Sequence, residues 1–267
     1  MATGHTPVVF VHGLWLHATS WGAWVDLFRE AGYDPVSPGW PGDSDTVDQA
    51  RANPQQVAGY GINAVVDHCA KIIGGLDAKP IVVGHSFGGL IVQRLLGHDL
   101  AAAAVAIDPA PIKGVFKLPI SSLRVASIAL RNPANNSKRA VSLTPEQFRY
   151  GFGNALPETE CAELYERWTI PSPGKPLFEA ASANFFPNSP AKVDTGNPTR
   201  GPLLLIAGGR DHTAPASVTK TTLKLYRTSP AVTAYREFPD RGHSLALDHG
   251  WREVADSSLA WLKAQSL

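Results

Sequence analysis

The 267-residue chain is poor in sulfur, with two cysteines and one methionine. Cys69 lies inside an apolar helical pattern and Cys161 in a separate segment, so no disulfide framework or cysteine-based zinc site is expected to organise the fold. They read as buried or incidental thiols of a reducing compartment, and a cytoplasmic location is expected. Charge of one sign is equally scarce. With 24 Lys+Arg against 23 Asp+Glu, and no basic run longer than Lys138-Arg139, the chain lacks the electrostatic footprint of a nucleic-acid or anionic-membrane partner. No apolar run approaches the ~18 residues of a membrane helix. The opening Met1-Ala2-Thr3-Gly4-His5-Thr6 lacks the basic region and apolar stretch of a secretory leader. Neither a G-x-G-x-x-G fingerprint nor a His/Cys/Asp spacing typical of zinc or calcium occurs, so chemistry without metal or cofactor is expected.

What is present is an alternation. Short β-branched runs recur at Val8 to Val11, Ile81 to Val83, Ala103 to Ile107, Leu203 to Ala207 and Val232 to Phe238. Segments of helical spacing separate most of them: Ser20 to Ala31, Gln56 to Gly74, Phe87 to Gly97, Ala216 to Tyr226 and Trp251 to Ala264. Near-continuous apolar strands alternating with helices predict an α/β fold, a mainly parallel, doubly wound sheet covered on both faces. Residues 111–200 break the pattern, holding 11 of the 22 prolines and only 5 of the 24 glycines. Helix-like pieces occur there at Ser121 to Leu130, Pro145 to Ala155, Glu158 to Trp168 and Leu177 to Phe186. The expectation is a core built from residues 1–110 and 201–267, with 111–200 as a helical cap over the sheet edge where ligands bind in open α/β sheets.

The strongest chemical signal is Gly84-His85-Ser86-Phe87-Gly88-Gly89, placed between a strand and a helix. That is the context a G-x-S-x-G turn requires, because the serine sits on a strained strand-to-helix turn where neighbouring backbones approach closely. The second signal is Val8-Val9-Phe10-Val11-His12-Gly13-Leu14-Trp15, a strand ending in His-Gly. A tetrahedral oxyanion needs two aimed N–H donors; Phe87, next to the serine, and Leu14, in the loop after the first strand, are the candidates. His12 reads as a structural residue tying that loop down. Asp211, in the turn that follows Leu203 to Ala207, and His243, in the loop after the final strand, complete the chain order Ser, Asp, His. Asp108, in Ile107-Asp108-Pro109, is the competing acid. His85 is expected to pack, since alternation points it away from Ser86.

These motifs make the whole chain resemble the α/β-hydrolase fold family. The resemblance implies Ser86 as nucleophile, His243 as general base and acid, Asp211 as the group orienting His243, and Leu14 and Phe87 as the oxyanion hole. The start directly on the His-Gly strand is similar to the plant methylesterase and hydroxynitrile-lyase branch. Gly13, which hydroxynitrile lyases lose, disfavours cyanohydrin chemistry, and Ser86 stands where dehalogenases and most epoxide hydrolases carry Asp. The expected activity is hydrolysis of a small to medium apolar carboxylic ester through an acyl-enzyme. C–C bond, lactone or amide hydrolysis by the same residues, and ligand binding without turnover, are the alternatives. Trp15, Phe116, Phe148 and Phe185 are the candidate pocket lining.

Overall fold

The computed structural model describes residues 5–117, 119–130 and 132–267. Met1 to Gly4, and with them most of the N-terminal leader reading, lie outside the described residues, as do Leu118 and Arg131. The first four strands are β1 (Pro7–Val11), β2 (Asp34–Val36), β3 (Ile81–His85) and β4 (Ala103–Ile107). An antiparallel ribbon follows, β5 (Ala140–Val141) with β6 (Ser172–Pro173), and then β7 (Leu203–Gly208) and β8 (Thr233–Phe238). All but the ribbon join one parallel sheet in the order β2-β1-β3-β4-β7-β8. The order reverses at β1/β3, and in such sheets the crevice at the carboxyl ends of the strands is where ligands sit.

Strand alternation divides the core into two layers. Val8, Phe10, Ile81, Val83, Val105 and Ile206 face α1 (Gly22–Glu30) and the C-terminal helix Trp251–Ala264, through Trp24, Phe28, Val254 and Leu262. Their neighbours Val9, Val11, Val82, Ala104 and Leu205 face the opposite layer. That layer holds α3 (Ile62–Ile73), which follows the short α2 (Val47–Ala52), and α4 (Phe87–Gly97). Each fully buried Val, Leu or Ile contributes roughly 1.5–3 kcal/mol relative to exposure, so the central strands tolerate little polarity.

Between β4 and β7 come α5 (Ile120–Leu130), α6 (Pro133–Asn136), α7 (Pro145–Gly151), α8 (Glu158–Trp168) and α9 (Lys175–Ala181). Helix α7 starts at a reciprocal capping box between Thr144 and Gln147, and α5 packs on both α7 and α9. This segment is tied to the sheet side by the bridge between Leu16 and Thr169 and by the Glu179 carboxylate, which accepts from the Ile62 N–H at 2.6 Å. The remaining helices are α10 (Ala216–Leu225) and α11 (Trp251–Ala264). Among the described residues, no helix is long and apolar enough to cross a membrane. Both cysteines are buried and unpaired, and burial pushes the Cys69 thiol up to about 12.

Two sequence expectations shift. The helix expected from Gln56 begins at Ile62, because Pro54–Val57 forms a 3-10 turn and Gly59 adopts a φ of +80° before the helix. Strand β2 escapes the periodicity because it is three residues long, contains Pro35 and sits at the sheet edge.

Candidate active site

Ser86 lies between β3 and α4 with φ 57° and ψ −119°, a conformation that non-glycine residues adopt only under constraint. The constraint comes from both sides of the turn. The Ser86 N–H donates to the Ile107 carbonyl at 2.9 Å, and its own carbonyl accepts from Ala110 at 2.9 Å. The flanking glycines are required by close approach: a Cβ on Gly84 would lie 2.2 Å from the Gly88 carbonyl oxygen, and one on Gly88 would lie 2.0 Å from that of Val11.

His243 Nε2 lies 3.0 Å from Ser86 Oγ, and its Nδ1 lies 2.6 Å from Asp211 Oδ2. The other Asp211 oxygen accepts the Thr213 and Ala214 backbone N–H groups at 2.6 and 2.9 Å, so the carboxylate is anchored by its own loop. The His243 ring is fully buried and meets the Phe152 ring in a T-shaped contact at a centroid distance of 4.8 Å. Its loop is held by the Arg241–Asp248 ion pair, by Ser244 Oγ donating to Asp248 at 3.1 Å, and by the Trp24 indole donating to Ala246 at 2.7 Å.

His85 does more than pack. Its Nε2 lies 2.7 Å from the His243 carbonyl, and burial, then the neighbouring His243, hold its imidazole well below the ordinary histidine range. A neutral His85 donates one N–H there and fixes the height of the His243 backbone. No sequence signal distinguishes this role from packing.

The loop Gly13-Leu14-Trp15 approaches Ser86 closely: a Cβ on Gly13 would lie 2.7 Å from the Ser86 Cβ. His12 anchors the loop, with Nδ1 2.8 Å from the Gly13 carbonyl and Nε2 2.9 Å from Asp43 Oδ2. Trp40 stacks on His12, donates its indole N–H to the His12 carbonyl at 3.1 Å, and gives its backbone N–H to Asp43 at 2.8 Å. Trp15 has φ 65° and is clamped by the β5–β6 ribbon: its N–H donates to Ser172 Oγ at 2.5 Å and its indole to the Val141 carbonyl at 2.9 Å. Leu14 is therefore fixed from both flanks. Phe87 is the first residue of α4, whose opening N–H groups have no acceptor within the helix and carry the positive end of its dipole.

A cavity of about 100 Å³ opens beside Ser86. Trp15, Phe87, Thr213 and Ala214 line it from the sheet side, and α5 and α9 close it with small aliphatic residues, among them Val125, Ala126, Leu177 and Ala180. The expected phenylalanine lining needs correction. Phe116 and Phe185 are 77% and 81% exposed, on connections that turn their side chains outward. Phe148 is fully buried, but it stacks on Phe152 at 4.9 Å and meets Tyr165 of α8, away from the cavity. Of the four candidates, Trp15 alone reaches the lining.

Asp108 is fully buried with φ 43°. Its Oδ1 accepts the Gly208 N–H at 2.6 Å, and its Oδ2 lies 3.9 Å from His243 Nδ1. Burial, then the Asp211 charge, hold its carboxyl well above the ordinary range. His85, Asp108 and His243 also place one ligand-type atom each within 4.8 Å of one another. Both His243 nitrogens face Ser86 and Asp211, however, so these atoms form a hydrogen-bonding cluster rather than a set of free donors.

The raised Asp108 carboxyl has a consequence for stability. Above the unfolded-chain value of about 3.9, the unfolded state has lost this proton while the folded state keeps it. The folded state then binds more protons, and the Asp108 contribution to stability falls as pH rises toward the folded value. Asp108→Asn cannot ionise, so its melting temperature relative to wild type should climb between pH 5 and pH 8. A difference independent of pH in thermal melts would show that Asp108 is already charged in the folded protein.

The family model described as the alpha/beta hydrolase family matches residues 8–257, and the chain belongs to that family of hydrolases. Among curated proteins no sequence match is found. Solved structures share the fold at low identity. A monoacylglycerol lipase from Paleococcus ferrophilus is 21% identical with a TM-score of 0.67, covering 98% of this chain and 96% of its own. An extracellular alpha/beta-hydrolase from a Paenibacillus species is 19% identical with a TM-score of 0.69, covering 94% and 96%. A methylesterase from Arabidopsis is 17% identical with a TM-score of 0.65, covering 97% and 99%.

Proposed function

We propose that the chain is a serine hydrolase that cleaves carboxylic esters with a small apolar acyl group through an acyl-enzyme. The observation that carries this reading is one continuous line of contacts, from the Asp211 carboxylate through His243 to Ser86 Oγ, ending at an apolar cavity. In the reaction, His243 Nε2 takes the hydroxyl proton as Ser86 Oγ attacks the carbonyl carbon. The Leu14 and Phe87 N–H groups hold the resulting oxyanion. His243 then gives its proton to the departing alkoxide. A water, deprotonated by the same nitrogen, attacks the acyl carbon and releases the acid and Ser86. Asp211 keeps the Nδ1 proton in place and stabilises the imidazolium. Residues 111–200 act as the cap, since α5 and α9 supply the far wall of the cavity. The lipase and methylesterase, and an esterase from Thermogutta terrifontis of the same fold, lend the ester reading support.

The test is a chromogenic ester series of increasing acyl length, with Ser86→Ala as the blank. A cavity of about 100 Å³ has room for about seven to ten water-sized groups at roughly 10–15 Å³ each; shared between the acyl chain and the adjoining part of the alcohol, that places the optimum near a butyryl chain. Ala180→Phe should shift the optimum toward acetyl and cost the butyryl ester about 10-fold, the penalty of overpacking a formed wall. No turnover above the blank on any ester would overturn the ester reading in favour of an amide, lactone or C–C substrate, or of binding alone.

A further inference from the structure

Two carboxyls stand beside the His243 ring, on neighbouring strand ends. Asp211 follows β7 and touches Nδ1 at 2.6 Å; Asp108 follows β4 and places Oδ2 3.9 Å from the same nitrogen. Both are buried, and a ring tilt of about an ångström separates one contact from the other. The Asp108 side chain is held by one oxygen only. Its Oδ1 is occupied by the Gly208 N–H at 2.6 Å, while Oδ2 has no donor among the described residues. A buried oxygen left without a partner is costly unless it has a use.

We propose that Asp108 and Asp211 form one acid pair that carries a single negative charge toward His243, with Asp108 as a positioning residue able to orient the ring when Asp211 is removed. The proposal rests on the serine-hydrolase reading above. Two ionised carboxylates this close in a buried site repel strongly, so one of them keeps a proton. Asp211 is the charged member because three N–H groups converge on it, those of Thr213, Ala214 and His243. The Asp108 proton lies on the free Oδ2, whose neighbouring acceptor is the Asp211 carboxylate. The other titratable groups facing Asp108 are His85 at the end of β3, His243, and Tyr235 of β8. His85 is neutral, and the Tyr235 hydroxyl donates to Glu237 at 2.5 Å. When Asp211 is lost, its repulsion of a charge on Asp108 goes with it. Asp108 then ionises and becomes the acceptor for the Nδ1 proton.

The experiment is the rate at which a fluorophosphonate labels Ser86 across pH, in wild type, Asp108→Asn, Asp211→Ala and the double variant. Asp108→Asn should cost far less in the wild-type background than in Asp211→Ala. Asp211→Ala should fall about 10- to 100-fold, and the double variant about 10⁴-fold, the usual cost of removing the acid from such a site. The acid limb of the labelling profile should move to lower pH in the double variant relative to Asp211→Ala, as the last negative charge beside the ring is lost. Asp211→Asn should be slower than Asp211→Ala, because its amide N–H faces Nδ1 and blocks the tilt toward Asp108. This ordering decides the matter even if Asp108→Asn fails to fold. Equal cost of Asp108→Asn in both backgrounds, or an Asp211→Ala rate already at the level of the double variant, would overturn the proposal alone. A wild type that the probe does not label would bring down the hydrolase reading itself.

Discussion

Ser86→Ala is expected to lower kcat on the best ester by about 10⁶-fold while leaving the protein folded. The two halves of that expectation have separate causes. Ser86 Oγ meets His243 Nε2 at 3.0 Å, so deletion removes the atom proposed to attack. The strained backbone at φ 57° is set by the Ile107 and Ala110 hydrogen bonds, which alanine retains. Alanine has the same Cβ as serine and meets no new steric penalty there, so the melting temperature should move by no more than a few degrees. His243→Ala should lose nearly as much, and combining the two should cost little more, since nucleophile and base act in one step. Residual turnover of the double variant about 10³-fold above water would then measure what substrate binding and the proposed Leu14 and Phe87 donors supply together. A Ser86→Ala variant with substantial activity would place the nucleophile elsewhere and sink the mechanism.

How legible this site is in the sequence depends on whether the physical demand is local. The Ser86 turn is legible because its strain leaves a local trace: Gly84 and Gly88 must be glycine, two residues either side, or carbonyls would collide with a Cβ. Burial of the sheet on both faces is legible because the strands are apolar at successive positions. Asp43 leaves no such trace. It anchors His12 from thirty-one positions away, and nothing around it separates it from any loop aspartate. The same holds for Ser172 and Val141, which clamp Trp15 from the segment between β4 and β7. The phenylalanine expectation misread another kind of information. Apolarity says that a side chain can line a pocket, but not which way it faces. Phe116 and Phe185 turn outward, while Ala126 and Ala180, unremarkable in sequence, line the cavity. Asp108 was legible as a rival to Asp211; that the two carboxyls sit beside one ring follows only from the pairing of β4 with β7.

The two glycines pressed against the Ser86 turn should differ in what alanine costs them in stability, and the contrast separates a group that holds the fold from one that holds only the chemistry. At Gly88 an added Cβ would meet the Val11 carbonyl oxygen at 2.0 Å and that of His12 at 2.7 Å. Both belong to the backbone of strand β1, paired on both sides, and its loop, and no rotamer change relieves the overlap. Helix α4 must back away from β1 by more than an ångström, opening the Leu90 and Ile91 packing against the sheet. Gly88→Ala should therefore cost about 4 kcal/mol or more, the range reserved for severe core disruption, and lower the melting temperature by about 8–16 °C. At Gly13 the Cβ would meet the Ser86 Cβ at 2.7 Å and the His85 carbonyl at 3.0 Å. Here the overlap falls on the Gly13-Leu14-Trp15 loop, whose Leu14 N–H is the proposed oxyanion donor and which is held by side-chain contacts rather than by the sheet. A shift of about an ångström in a group that must meet the transition state costs about 10²-fold in rate, with a far smaller loss of stability. Gly13→Ala should thus melt close to wild type with kcat depressed, whereas Gly88→Ala should melt early and also lose kcat, since α4 carries the Phe87 N–H with it. If Gly13→Ala instead melts as early as Gly88→Ala at undiminished kcat, the loop is a structural brace and the oxyanion donor must be sought at another N–H.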